Sequence, residues 1–157
     1  MVSIRWRQRL AFPRKIGQND RVDKGEDRQM SERRRIPPLS PFEEQIGFTR
    51  ALRVGDRILV SGITATAPDG TVPPDAGDQA DMCFAEIIRH IETLGGTAAD
   101  VVRVRMYVTD IADADAVSAA FSRALSATRP TGTLVAIAGL YRPEWKVEIE
   151  AEAMVGG

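Results

Sequence analysis

Cysteine and histidine are almost absent from this sequence: 157 residues hold one of each, Cys83 and His90. A disulfide within the chain is thereby excluded, and a zinc site built from these ligands lacks its donors. Cys83 stands between Met82 and Phe84 in an apolar-periodic segment. It reads as a small core residue in a reducing, cytoplasmic setting rather than as a nucleophile. His90 falls mid-helix and off the apolar stripe, so it reads as a helix-surface residue and not as the base of a Ser-His-Asp arrangement. Aromatic residues are scarce at 6%, and no basic-aromatic stripe offers a stacking platform for single-stranded nucleic acid. No apolar run approaches the roughly 18–20 residues of a membrane span. Neither a Walker-type loop nor a strand followed by GxGxxG is present, so no cofactor is expected and no metal.

What is present divides into two regions of opposite charge. Residues 1–40 hold 11 Lys/Arg and 5 Asp/Glu, which leaves 10 and 17 of the chain's 21 and 22 for the remainder. The acidic remainder argues against a nucleic-acid-binding surface there. In the first region Arg5, Arg7, Arg9, Arg14, Lys15, Arg21, Lys24 and Arg28 recur without helical or strand period, and Pro37-Pro38 closes it. A transit peptide would be poorer in acids than Asp20, Asp23, Glu26 and Asp27 allow. A basic nucleic-acid arm and an extension ahead of a start at Met30 are the other readings. Residues 1–41 are expected to be a disordered, functionally neutral extension, and 42–157 the folded domain.

Regular patterning starts at Phe48. Phe48–Val54 and Arg57–Thr64 read as strands joined across Gly55-Asp56, a hairpin turn. A loop follows through Ala67-Pro68-Asp69-Gly70 and Val72-Pro73-Pro74. Phe84, Ile87, Ile88, Ile91 and Leu94 recur at helical spacing, with Asp75 or Asp78 as cap and Gly95-Gly96 as stop. Val101–Thr109 alternates as a strand, and a helix is expected from about Asp113 to Ala127. Thr133–Leu140 is the next strand. Val147, Ile149, Ala151 and Ala153 then alternate with Glu148, Glu150 and Glu152, a period of two. The order is β-β-α-β-α-β-β: an α+β domain with two helices on one face of one sheet. The other face is expected to carry Ile63, Tyr107 and Leu134 among charged groups, a mixture that suggests self-association.

Three strings carry the resemblance to a known family. Val60-Ser61-Gly62, the strand from Val101-Val102-Arg103 to Tyr107-Val108-Thr109-Asp110, and Val147-Glu148-Ile149-Glu150-Ala151 occur in the order and spacing of the Rid (YjgF-like) family. The similarity spans roughly residues 48–153. It implies a chorismate-mutase-like fold, a homotrimer with small-molecule clefts between subunits, and hydrolysis of reactive imines or enamines such as 2-aminoacrylate. An RNA-cleaving activity is also attributed to some members. In the deaminases an arginine grips the substrate carboxylate through two parallel hydrogen bonds. Aligning Pro130 with the proline of that family's P-A-R-S motif places Thr131 on the alanine, Gly132 on the arginine and Thr133 on the serine. Ile63 replaces the usual glutamine after Ser61-Gly62, and Phe48 replaces a common tyrosine. The resemblance implies Glu148 as the group that positions or deprotonates water. It implies a substrate cleft lined by Ser61, Gly62, Ile63, Phe48, Gly132 and Thr133. Glu150 and Glu152 read as a solvated strand face, paired with Arg103 and Arg105. Arg50, Arg105, Arg129 and Arg142 are the alternative sources of a substrate-binding cation. Three functions compete: hydrolysis of an imine other than the 2-aminoacrylate type, non-catalytic binding of a small metabolite, and RNA cleavage.

Overall fold

The computed structural model describes residues 32–156. The expectations for residues 1–31 lie outside the described residues. The elements in chain order are β1 (Arg33–Arg35), α1 (Pro41–Ile46), β2 (Ala51–Val54), β3 (Arg57–Thr64), α2 (Ala76–Thr93), β4 (Val101–Val108), α3 (Ala114–Leu125), β5 (Thr131–Ala136) and β6 (Val147–Met154). The strands form one six-stranded sheet in the order β1-β2-β3-β6-β4-β5. Only β4 and β5 run parallel, because α3 carries the chain back between them. From β2 onward this is the expected β-β-α-β-α-β-β order.

The structure adds one element inside the stretch assigned to the extension, β1, and another, α1, that begins at its last residue, Pro41. Arg33–Arg35 pairs with Leu52–Val54 as an edge strand, and the short helix α1 follows. Ile36 is buried in the core, so chain order begins before residue 42. Three successive arginines carry little strand signal. Their backbone is held by the free edge of β2 rather than by side-chain preference.

Helix α2 forms where its stripe and caps agree. Asp75 Oδ1 accepts from the backbone N–H groups of Gly77 at 2.8 Å and Asp78 at 3.2 Å. Gly95 ends it with φ +81°, and Arg53 donates to the carbonyls of Leu94 and Gly95. Phe84, Ile87, Ile91 and Leu94 are buried. Each such burial contributes about 1.5–3 kcal/mol, so the stripe outweighs a cap worth about 1 kcal/mol. Helix α2 crosses β3 and β6 and packs on α3, with Phe84 and Phe121 edge to face at 6.0 Å.

Helix α2 also buries a second face. His90 is 0% exposed, contrary to the surface position expected from its place off the stripe. Its Nε2 lies 3.2 Å from Glu86 Oε1, and Glu43 and Arg50 are near enough to act on it electrostatically. Burial holds its imidazole below the usual histidine range, opposed by the negative charge of Glu86. A contact made by a segment some 40 residues upstream leaves no trace in the period of α2 itself.

The Ser61-Gly62 segment changes the face assignment of β3. Val60 pairs with Ala151, but Ile63 pairs with Ile149. Two residues, Ser61 and Gly62, therefore face the single position Glu150, which is a β-bulge. The bulge turns Ile63 to the helix side, where it is 3% exposed. Leu134 also packs against the helix-side core. Of the three residues expected on the open face, only Tyr107 lies there, in register with Glu148 and Val135.

Candidate functional site

The open face of the sheet is organised in cross-strand rows. Thr64, Glu148, Tyr107 and Val135 form one; the bulge, Glu150, Arg105 and Thr133 form the next; Leu59, Glu152, Arg103 and Thr131 the third. Alternation along β6 places its three glutamates on this face, while Val147, Ile149, Ala151 and Ala153 are buried beneath.

The three glutamates are not equivalent. Arg105 pairs with Glu150 and, at 3.3 Å, with Glu152. Arg57 also reaches Glu152, at 3.0 Å. Tyr107 directs its hydroxyl at Glu150 at 3.4 Å. Among the described residues no cation or hydrogen-bond donor pairs with the Glu148 carboxylate. Its side chain lies against Gly62: a Cβ on Gly62 would stand 1.8 Å from Glu148 Oε1. The bulge and the missing side chain thus make the space that the carboxylate occupies. Burial, then the negative charge of Glu150, push the Glu148 carboxyl above the usual carboxylate range. Arg105 was expected in the pairing and is found there. Arg103 has no carboxylate partner among the described residues.

Ser61 is fixed by the strand that precedes it. Its hydroxyl donates to the Thr49 carbonyl at 2.8 Å, and its N–H to the Arg50 carbonyl at 2.9 Å. The hydroxyl proton is committed, so what Ser61 has left to offer is an acceptor. The segment that receives these bonds is held by Glu43, a buried carboxylate at 1% exposure. Glu43 Oε1 accepts from Arg50 Nε at 2.9 Å, Leu39 N at 3.1 Å and Ser40 Oγ at 3.3 Å. Phe48 leans on Phe42 edge to face at 6.2 Å and is partly exposed beside this segment.

The far end of β6 has its own anchor. Gln79 is fully buried; its Nε2 donates to the carbonyls of Pro73 and Glu144, and its Oε1 accepts from Lys146 N–H at 2.8 Å. This fixes the entry to β6 two residues before Glu148. Neither Glu43 nor Gln79 stood out in the sequence, since their partners lie in other elements. A glycine inside the strand run 57–64 was the available signal for the bulge.

The structure brings Ser61, Gly62 and Glu148 together, with Phe48 adjacent through Thr49. It separates the remaining expected residues. Ile63 is a core residue on the helix side and does not reach the open face. Gly132 and Thr133 lie on the edge strand β5, two strands from β6, about 10 Å at normal strand spacing. Thr133 shares the open face. Gly132 points to the helix layer: a Cβ there would meet Phe121 at 3.6 Å and Met106 at 3.9 Å, ordinary contacts. Its backbone is not in the left-handed region, so neither space nor backbone requires glycine at this position.

Cys83 lies under the bulge. Its thiol donates to the Ile63 carbonyl at 3.2 Å and is pushed up to about 12 by burial and by the charges of Glu148 and Glu86. Such a thiol supplies no thiolate at neutral pH, in keeping with its reading as a core residue. No three of His, Cys, Asp and Glu gather as metal ligands among the described residues.

The sequence profile of the endoribonuclease L-PSP family matches residues 40–155. The chain belongs to this family, the Rid (YjgF-like) proteins. A 2-iminobutanoate/2-iminopropanoate deaminase of Escherichia coli is 31% identical over 111 residues, 68% of this chain and 86% of its own length. An uncharacterized protein of Streptomyces coelicolor is 33% identical over 124 residues, 78% of this chain and 92% of its own. A YjgF-family structure from Mycobacterium tuberculosis superposes with a TM-score of 0.72 at 34% identity, over 79% of this chain and all of that one. This Rid-family chain therefore has the fold of its relatives, and no helix among its described residues is long and apolar enough to cross a membrane.

Proposed function

We propose that this Rid-family protein hydrolyses a small imine or enamine at the Ser61-Gly62-Glu148 corner, acting on a substrate other than the 2-aminoacrylate type. The observation that carries the reading is the isolation of Glu148 among the glutamates of β6. A carboxylate with no ion partner and a raised proton affinity is suited to take a proton from water at neutral pH. The imine carbon is already electrophilic, so the protein has to place a water, hold the substrate and move protons. The water oxygen bonds to carbon as its proton passes to Glu148. The C=N electron pair passes to nitrogen, which takes that proton back from Glu148 to give the carbinolamine. The carbinolamine hydroxyl proton then moves to nitrogen by way of the regenerated carboxylate as the C–N bond breaks, and the ketone or aldehyde leaves with ammonia. No oxidant, metal or cofactor enters this balance.

The cleft is completed by a second copy of the chain in a homotrimer. Leu59, Val135 and Met154 are exposed on the open face, an apolar share that association would cover. A neighbouring edge strand β5 then brings Thr133 and the backbone around Gly132 toward Glu148. Binding of a small metabolite without turnover is the second reading, and the same clefts serve it. RNA cleavage, the activity in the family's name, is disfavoured by the acidic composition beyond residue 40. Incubating the full chain with imines generated in place, and following ammonia release, tests the proposal. Acceleration that disappears in Glu148→Gln is expected. Saturable binding of a metabolite with no acceleration would assign the second reading.

A further inference from the structure

Among the described residues, the arginines beside the corner are engaged with carboxylates, and Arg103, which has no such partner, lies level with Glu152, two rows from Glu148. Arg50 is spent on the buried Glu43. Arg105 is spent on Glu150 and Glu152, and Arg57 on Glu152. Arg142 pairs with Glu144 and stacks over Trp145 at 5.3 Å. Of the four candidate cations named from sequence, only Arg129 has no carboxylate partner among the described residues, and it is exposed beyond the far edge of the sheet at the entrance to β5. What the corner offers instead is acceptors. The Glu148 carboxylate is unpaired, Ser61 has given its proton to Thr49, and Tyr107 directs its own at Glu150.

We infer that the cleft selects a ligand that donates hydrogen bonds and carries no carboxylate: an imine or iminium derived from a primary amine, rather than an α-imino acid. The inference rests on the hydrolase reading above and specifies its substrate class. A substrate carboxylate at this corner would meet Glu148, with which no cation among the described residues is paired to offset the repulsion. An iminium N–H would meet two acceptors that lack donors. The carboxylate of Glu148 then has two uses, to hold the nitrogen end of the ligand and to accept the proton of the attacking water.

The test compares two imines formed in place with the full chain present. One is made by an amine oxidase from a primary amine, the other by an amino-acid oxidase from the α-amino acid bearing the same side chain. Loss of imine is followed by competition with semicarbazide. The expected result is at least about tenfold greater acceleration for the amine-derived imine, unchanged in Arg129→Ala. Faster turnover of the α-imino acid would overturn the inference while leaving the hydrolase reading in place; its loss in Arg129→Ala would name the missing cation. If neither imine is accelerated, the hydrolase reading fails. The ligand class is then decided by titrating the primary amine and the matching carboxylic acid separately, following backbone amide shifts around residues 61–63 and 148. Tighter binding of the amine, weakened in Glu148→Gln, supports the inference, and tighter binding of the acid, or shifts from neither, overturns it.

Discussion

Glu148 and Glu152 stand four residues apart on one strand, on the same face of the same sheet, and have opposite environments. Around Glu152 and Glu150 the cross-strand register delivers Arg105 and Arg57. The carboxylates there are neutralised, and surface pairs of this kind contribute little stability, at most about 1 kcal/mol. Around Glu148 the same register delivers Thr64 and Tyr107, and the bulge at Ser61-Gly62 lets the carboxylate fold inward. One corner is arranged as a ladder of satisfied ions, and the other keeps a charge that no cation among the described residues offsets. An isolated, half-buried carboxylate of this kind is what supports the proposed role of Glu148 over a solvated strand face.

The comparison is broken most severely by Glu148→Gln. Hydrolysis should fall about 10²–10⁴-fold, the usual contribution of a positioned general base, while the equivalent change at Glu152 leaves the rate within about twofold. Stability should move the other way. Because the folded carboxyl lies above its unfolded value, the contribution of Glu148 to stability is full below the unfolded value and is lost as pH rises through the folded one. Thermal melts should therefore show Glu148→Gln gaining on the parent at neutral pH, with the gain absent at acidic pH.

Next in size is the anchor behind Ser61. Glu43→Ala removes three hydrogen bonds from a buried oxygen. It should cost about 2–3 kcal/mol in urea unfolding, less than a fully buried pair because Arg50 keeps part of its guanidinium in water. Gly62→Ala comes third. The added methyl displaces only the end of a flexible side chain, so stability should change by less than about 1 kcal/mol. Activity should drop about tenfold as the carboxylate is moved off its position. The smallest effect belongs to Glu150→Gln, which removes the second cause of the raised Glu148 carboxyl and leaves burial, the first, in place. The acid limb of the pH–rate profile should shift downward by less than about one pH unit.

Much of the architecture was legible because local pattern and tertiary role agree. The alternation of Val147 to Glu152 and the stripe of α2 read directly as elements with a buried side. The features that went unread are those set by register or by distant packing. Alternation assumed to run unbroken through Ser61-Gly62 put Ile63 on the open face; one extra residue in the bulge reversed it. His90 appeared exposed because the segment that covers it lies far upstream. The strand at Arg33–Arg35 is held by a neighbour's free edge. For the site, Glu148 was legible through resemblance alone, since its difference from Glu150 and Glu152 depends on which arginines the register brings alongside. Gly132 was singled out by alignment, yet within one chain it faces Phe121 and the helix layer.

The central claim is that Glu148, unpaired at the bulge, is the proton-accepting group of the cleft. Its most direct test is the pH dependence of imine hydrolysis by the full chain and by Glu148→Gln. The rate of the parent should rise with pH through a single acid limb placed above the ordinary glutamate range, and the variant should give a flat, near-background profile. Hydrolysis by Glu148→Gln at the parent's rate, with the acid limb intact, would contradict it.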